Sequence, residues 1–481
     1  MALEFIDKIA PLIPSIKGPA NPLSLREKLM WTGIILAVYF VLYTTLAVGV
    51  SQQEVSQPVL QLISIVFAGK IGSLITVGIG PIVLSSIVLQ LLSGSGVVKL
   101  DQNDPAQRAR YQVIQKIAAM SIAIIEAIVY VATGFVPLAS PSTFGIVALQ
   151  LALGAITVIF LDEMMTKWGI TSGINLFIAA GVSYAIVAGT FLILLPGAQT
   201  ALANGGASAL SSAVLAFGPL LMAVAVFLIS IYVYGIKVEL PLAFEQFRGV
   251  GGRLPIPLLY VSVLPVILAS SLELSFTVWF RFLAGSTSSI AKFFALYTGA
   301  AGTSPNLAGG IIYLISPTFP APYPAPYGIG GYGAYFNYLA TATSQLYMPW
   351  GGIVLVPEWI HVIIYTVVLV LLCIVFGKFW TEMTGQNAKN LAEQIGDMGW
   401  QIPGFRRDPR IIESVLNKYI PTLIVLGSIF VGLLAAVATV MGAVGSGMGI
   451  LLTVGIIYMV YQQLQQERLF ETYPILDKIT K

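Results

Sequence analysis

Ten long apolar runs dominate the chain, at about 30–50, 74–93, 112–132, 143–161, 174–195, 212–234, 257–279, 359–380, 420–441 and 448–465. Strands of a membrane barrel would alternate apolar and polar residues over about ten positions. These runs do not alternate, and about 20 apolar residues are enough for a helix to cross a bilayer. The pattern predicts an all-α polytopic membrane protein with ten transmembrane helices. Ser24-Leu-Arg-Glu27 reads as a capping box, in which serine and glutamate side chains satisfy free amides at a helix start. The first span should begin there.

Composition agrees. Of 481 residues, 57% are hydrophobic and only 9% are charged, and mean hydropathy is +0.89. A soluble chain carries about 25% charged residues, so a single water-soluble core is excluded. The net charge of +3 gives no case for binding DNA or other nucleic acid. One cysteine, Cys373, excludes a disulfide framework and a cysteine-based metal cluster. One histidine, His361, excludes histidine-rich metal sites and most imidazole relays. No cofactor is expected. Residues 1–28 mix charges with prolines and lack an apolar core followed by small residues, so no cleavable signal peptide is expected there.

Charge sorts the loops. Of 24 lysines and arginines, 21 fall on the N-terminus and the stretches near 94–116, 162–168, 235–253, 378–418 and 466–481. The alternate set holds only Lys70, Arg281 and Lys292. By the positive-inside rule, both termini and the 21 cations are cytoplasmic. An even number of spans agrees.

Three stretches interrupt the simple pattern. Residues 58–92 carry one charge, Lys70, and are too long for one span and too short for two with a turn. Gly69, Gly72, Gly78, Gly80 and Pro81 mark the break. Either a short re-entrant helix at about 58–68 precedes a full span from Leu74, or one long tilted helix is kinked at Pro81. The loop at 282–357 lies outside; it should be flexible, extended through the prolines of Phe319–Tyr327, with a short helix near Ser289–Thr298. Its Gly328-Ile-Gly-Gly-Tyr-Gly333 matches GxGxxG literally, but it follows prolines and is expected to open no helix, so it is not read as a nucleotide site. Intramembrane Glu126 and Glu273 are costly in lipid and would be ion sites in a coupled transporter. Glu273 is expected near the external end, within reach of water.

Short motifs then appear in a particular order: Arg26-Glu-Lys-Leu-Met-Trp-Thr-Gly33, Gly78-Ile-Gly-Pro-Ile-Val83, Gly173-Ile-Asn-Leu-Phe-Ile178, Leu264-Pro-Val-Ile267, Gly404-Phe-Arg-Arg407 and Gly449-Ile-Leu-Leu-Thr-Val454. This order resembles the SecY protein-translocation channel. The first motif and Gly404–Arg407 resemble its archaeal branch, which is similar to the eukaryotic translocon alpha subunit. The resemblance covers essentially the whole chain except the 282–357 loop.

The resemblance implies two inverted, pseudo-symmetric five-helix halves, about 1–205 and 206–481, around a central pore. It makes the 58–68 helix a plug. It carries a pore ring onto Ile79, Val83, Ile174, Ile178, Ile267 and Leu452, all aliphatic here. Such a collar offers ions and water no hydrogen bonds and lets any sequence slide past. It also implies a lateral gate between spans two and three and spans seven and eight. The polar inventory of that seam is Ser85, Ser86 and Gln90 with Ser270, Ser271 and Ser275. Weak contacts of about 0.6 kcal/mol each could hold it shut; packing of small residues is the alternative. Where relatives place a polar residue after Val83, this chain has Leu84.

The resemblance further implies ribosome docking by the cytoplasmic loops at about 235–256 and 381–418, through Arg406 first, then Arg253, Arg248 and Arg407. Arginine suits phosphate because its planar fork donates two hydrogen bonds; orienting the loops is the alternative role. Expected partners are a SecE-like clasping subunit, a small beta subunit, the ribosome with its nascent chain, signal peptides and membrane lipid. No Walker loop is present, so energy must come from the ribosome or another motor. The expectation is the central pore-forming subunit of the general secretion translocon, multi-pass in the cell membrane, which releases transmembrane segments sideways into lipid. An ion-coupled secondary transporter with inverted repeats is the alternative. An enzyme is not supported, because no catalytic constellation is found.

Overall fold

In the computed structural model, the residues described are 14–21, 23–51, 68–94, 105–203, 209–244, 251–261, 263–284, 286, 288–298, 306–323, 328–397, 400–401 and 409–472. The first helix, α1 (Leu25–Thr44), starts on the capping box. Ser24 Oγ accepts from the Glu27 amide, and Glu27 Oε2 accepts from the Ser24 amide at 2.9 Å. It ends six residues earlier than its apolar run, where Leu46 bridges to Ser73 and Val50 to Leu138. Helices α2 (Gly80–Gly94), α3 (Pro105–Ala132), α4 (Phe144–Trp168) and α5 (Gly173–Gly189) follow. A π-turn at Thr190–Leu194 carries α5 straight into α6 (Leu195–Ala203). The sixth span is broken at Phe217 into α7 (Ala209–Ala216) and α8 (Gly218–Tyr234), bent by 41°.

A hairpin of β1 (Lys237–Phe244) and β2 (Gly251–Pro257) precedes α9 (Leu264–Trp279). The seventh span therefore begins at Leu264 rather than 257. Then come α10 (Ser289–Phe294), β3 (Leu296–Thr298), β4 (Asn306–Gly309), α11 (Ile311–Ile315), α12 (Tyr332–Thr341), β5 (Thr343–Tyr347) and β6 (Ile353–Pro357). The chain closes with α13 (Glu358–Met383), α14 (Ala388–Asp397), β7 (Trp400–Gln401), α15 (Pro409–Val440) and α16 (Gly447–Thr472). Among the described residues, seven helices are long and apolar enough to cross a membrane, and the α7–α8 pair makes an eighth. With α1 and the short apolar α2, the spans number ten, as the pattern predicts.

Three expectations need correction. The 282–357 segment is not a featureless loop: β3, β4, β5 and β6 form one sheet in that order. Its glycine-rich stretch does open a helix, because Gly331 at φ +94° caps α12. The helix near Ser289 ends at Phe294, and Leu296–Thr298 is strand.

One core runs through both halves of the chain, from Ile35 and Tyr39 to Leu452 and Ile456. Helix α5 packs on α16, α9 on α13, and α2 on both α9 and α13. A second core lies under the two basic loops, joining Leu240 and Ile256 to Ala392, Ile395, Ile412 and Leu416. There β7 pairs with β1, Ala243 opposite Gln401, so two loops distant in sequence share one sheet.

Candidate functional site

The six aliphatic residues singled out from the sequence all belong to, or pack against, the core that runs through both ends of the chain. Ile79, Val83, Ile178, Ile267 and Leu452 are buried in the common core, and Ile174, partly buried, packs against it. None lies on the outer surface. Each sits at or just inside the start of a helix: Ile79 and Val83 at α2, Ile174 and Ile178 at α5, Ile267 at α9, Leu452 at α16. Two of these starts repeat one pattern. Pro81 and Pro265 each stand at the second helical position, and Val83 and Ile267 each follow two residues later. Proline suits that place because the first amides of a helix have no intrahelical partner.

The backbone is shaped to allow this. The second span does not begin at Leu74: turns occupy Leu74–Ile79, with Gly72 and Gly78 at positive φ. A continuous kinked helix through Pro81 is thereby excluded. The turn segment lies so close to α4 that a Cβ on Gly154 would stand 1.8 Å from Leu74 O. Asp162, at the end of α4, anchors the start of α5: its Oδ1 accepts from the Ile174 amide at 2.9 Å and from Ser172 Oγ at 3.2 Å. The sequence reading missed Asp162, although an aspartate ten residues before a serine-led helix start was visible.

The expected plug at 58–68 lies outside the described residues except for Ala68. That residue, at φ +49°, is fixed by Tyr39 of α1, whose hydroxyl donates to Ala68 O at 2.5 Å. Ala68 rests near Gly181, one turn beyond Ile178. Tyr39 stacks on Phe177 with ring centroids 4.6 Å apart.

At the predicted gate, α2 is packed on α9 and α13, and α3 touches α9. The polar side chains there mostly serve their own side. Ser85 and Ser86 donate to Ile82 O at 2.8 and 2.9 Å, and Ser270 donates to Val266 O at 2.7 Å. Gln115 of α3 donates to Ser86 Oγ at 2.6 Å. Ser275 is buried, and buried Gln90 Oε1 and Ser271 Oγ have no partner among the described residues. Leu84, too, is buried.

Glu126 and Glu273 are each 1% exposed. Neither Glu273 carboxylate oxygen has a partner among the described residues. Water does not reach Glu273, contrary to expectation, because α9 turns it into the packed interior. His361 is more than a packing residue. Its Nε2 lies 3.0 Å from Ser316 O, its Nδ1 lies 3.0 Å from Glu358 Oε2, and Tyr313 donates to Glu358 Oε1 at 3.0 Å. This buried network fastens the 282–357 domain to α13.

Of the basic-loop arginines, Arg253 stands on β2, mostly exposed, and donates to Glu239 Oε2 across the hairpin at 2.7 Å. Arg248, Arg406 and Arg407 lie outside the described residues.

Known proteins share this architecture. The SecY family profile matches residues 73–461. The protein translocase subunit SecY of Methanococcus vannielii is 38% identical over 477 residues, 98% of each chain. That of Methanocaldococcus jannaschii is 34% identical, over 98% of this chain and 99% of its own. A solved structure described as a protein-conducting channel superposes with TM-score 0.78 at 34% identity, covering 97% of this chain and 98% of its own. Canine Sec61, solved in a ribosome–channel complex from the endoplasmic reticulum, gives TM-score 0.75 at 34% identity over the same shares. With its ten spans, the chain belongs to the SecY family of multi-pass membrane channels and is not an enzyme.

Proposed function

We infer that this chain is the pore-forming subunit of a protein-secretion translocon, and that unfolded polypeptide passes between its halves, 1–205 and 206–481, through a ring of Ile79, Val83, Ile174, Ile178, Ile267 and Leu452. The observation that carries the reading is the burial of these positions near the starts of four helices, two from each half, with α5 packed on α16 and α2 on α9. Aliphatic groups offer nothing for ions to bind, so such a constriction dewets when empty and yields to a passing chain. The 58–68 segment acts as a plug; its anchorage at Ala68, one turn from the Ile178 level, supports that role.

Separation of α2 and α3 from α9 and α13 gives membrane segments a sideways exit into lipid. Ser85, Ser86, Gln90, Ser270, Ser271 and Ser275 line the parting faces, their hydroxyls largely satisfied within their own helices. Parting the helices then breaks few hydrogen bonds. Both termini and the basic loops face the cytoplasm of a cell membrane, as the asymmetry of 21 cations indicates. Arg253, Arg248, Arg406 and Arg407 meet ribosomal phosphate; the similar canine channel was solved with a ribosome. A SecE-like clasp and a small beta subunit complete the complex, and signal peptides open it.

The test is crosslinking. A secretory chain arrested in transit and carrying one cysteine should form disulfides with cysteines placed at Ile79, Ile178 or Leu452. The absence of crosslinks at all ring positions would overturn the reading.

A further inference from the structure

The 3₁₀ turn Phe280–Leu283 that ends α9 turns Arg281 inward, where it is 6% exposed. Its Nε donates to Thr133 O at 3.2 Å, and its guanidinium lies 5.7 Å from the centre of the Phe135 ring. Thr133 follows directly on the last residue of α3. Carbonyls at a helix C-terminus lack intrahelical partners and carry the negative end of the dipole, so a cation is favoured there. The ring face adds a second attraction. Tyr297 of β3 steadies the same end of α9, donating to Thr277 O at 3.1 Å.

Arg281 thus reaches from the C-terminal half to the N-terminal half, between two helices on opposite sides of the seam. Leucine would fill that place at no desolvation cost. One guanidinium nitrogen, Nη2, has no partner among the described residues. A buried cation that is held yet incompletely satisfied is suited to release: on separation of α9 from α3, water would complete its hydrogen bonding.

We propose that Arg281 is the outer latch of the lateral gate, a positioning residue that sets how apolar a segment must be to part α3 from α9. The proposal rests on the gate reading above. The closed seam is favoured by the Thr133 and Phe135 contacts, and the open seam by hydration of the freed guanidinium. The balance fixes a threshold for lateral release.

The experiment uses the full chain with its partner subunits and a reporter whose test segment carries a graded number of leucines. The integrated fraction is read against the exported fraction. Arg281→Gln should raise the integrated-to-exported ratio of a half-integrated segment roughly three- to tenfold, the range expected for loss of one cation–ring contact. Arg281→Lys, which keeps a cation over the ring, should lie close to the starting protein. A purely structural role would lower thermal stability without moving this ratio, and that result overturns the proposal. So does an equal shift in the lysine variant. Should Arg281→Gln fail to accumulate, Phe135→Leu removes only the ring face: a shifted ratio supports the latch and an unchanged one overturns it. Crosslinking of an arrested chain to Ile178 in the same variants reports separately on the pore.

Discussion

Asp162 and Ile174 are joined by a 2.9 Å hydrogen bond from the Ile174 amide to the Asp162 carboxylate. The bond ties the end of α4 to the turn of α5 that presents Ile174 and Ile178. The same oxygen receives Ser172 Oγ, and Gly173 between them has no room for a Cβ, which would stand 2.7 Å from Asp162 Cα. Asp162→Ala should cost about 1 kcal/mol, within the range of about 0.5–2 for a lost helix cap. Asp162→Asn, which keeps the acceptor, should cost less. Thermal unfolding of the detergent-solubilised protein ranks the two, and ion leak should rise with the loss.

Gly154→Ala would set a methyl group 1.8 Å from Leu74 O. Backbone cannot rotate aside as a side chain does, so the segment leading to Ile79 must shift. Overpacking typically costs about 1–3 kcal/mol, and this substitution should lie at the upper end. A melting temperature equal to that of the native protein would contradict the close approach.

Ile178→Ser should raise ion conductance of the empty channel in planar bilayers, because a hydroxyl in the collar gives water a hydrogen-bonding partner. Ile178→Val keeps the collar aliphatic and should not. Equal conductance in both variants would count against gating by dewetting.

His361 faces the Ser316 carbonyl through Nε2, which must therefore be a donor, and faces Glu358 through Nδ1. Glu358→Gln retains a donor for a neutral imidazole and an acceptor for Tyr313, so it should fold much as the native chain does. Leaving a buried hydrogen-bonding group without its partner costs about 1–3 kcal/mol. Glu358→Ala should therefore loosen the 282–357 domain, and limited proteolysis would show it as faster cleavage there.

The Arg253–Glu239 pair is exposed, with side-chain exposures of 76% and 52%, and such pairs are worth about 0–1 kcal/mol. Glu239→Gln should leave the melting temperature unchanged. Charge reversal at Arg253 and Arg406 should weaken ribosome binding, most clearly at low salt, where screening is weakest. Unaltered affinity would leave these arginines as topology signals alone.

The ten helices were legible because each buries a continuous apolar run, and the start of α1 because its cap is local. The six aliphatic positions were reached through their motifs, not through periodicity: by spacing alone Ile79 and Val83 look like any helix-packing pair. What escaped was long-range. The β1–β2 hairpin carries Pro241, Pro255 and Pro257, which argue locally against strands, and β1 also takes its third strand from Trp400 and Gln401. The sheet of β3 to β6 gathers segments as far apart as Leu296 and Pro357. The His361 network likewise joins residues 45 positions apart.

Ile79 and Val83 are separated by a single turn of chain, four residues at about 1.5 Å each, or roughly 6 Å along the axis. An extended polypeptide advances about 3.3 Å per residue. The collar proposed here would therefore strip water from only about two residues of its cargo at any instant, rather than from the twenty or so that a full bilayer thickness would dry. Friction then depends little on what is being threaded, and charged stretches cross nearly as readily as greasy ones. Speed becomes a property of whatever pulls.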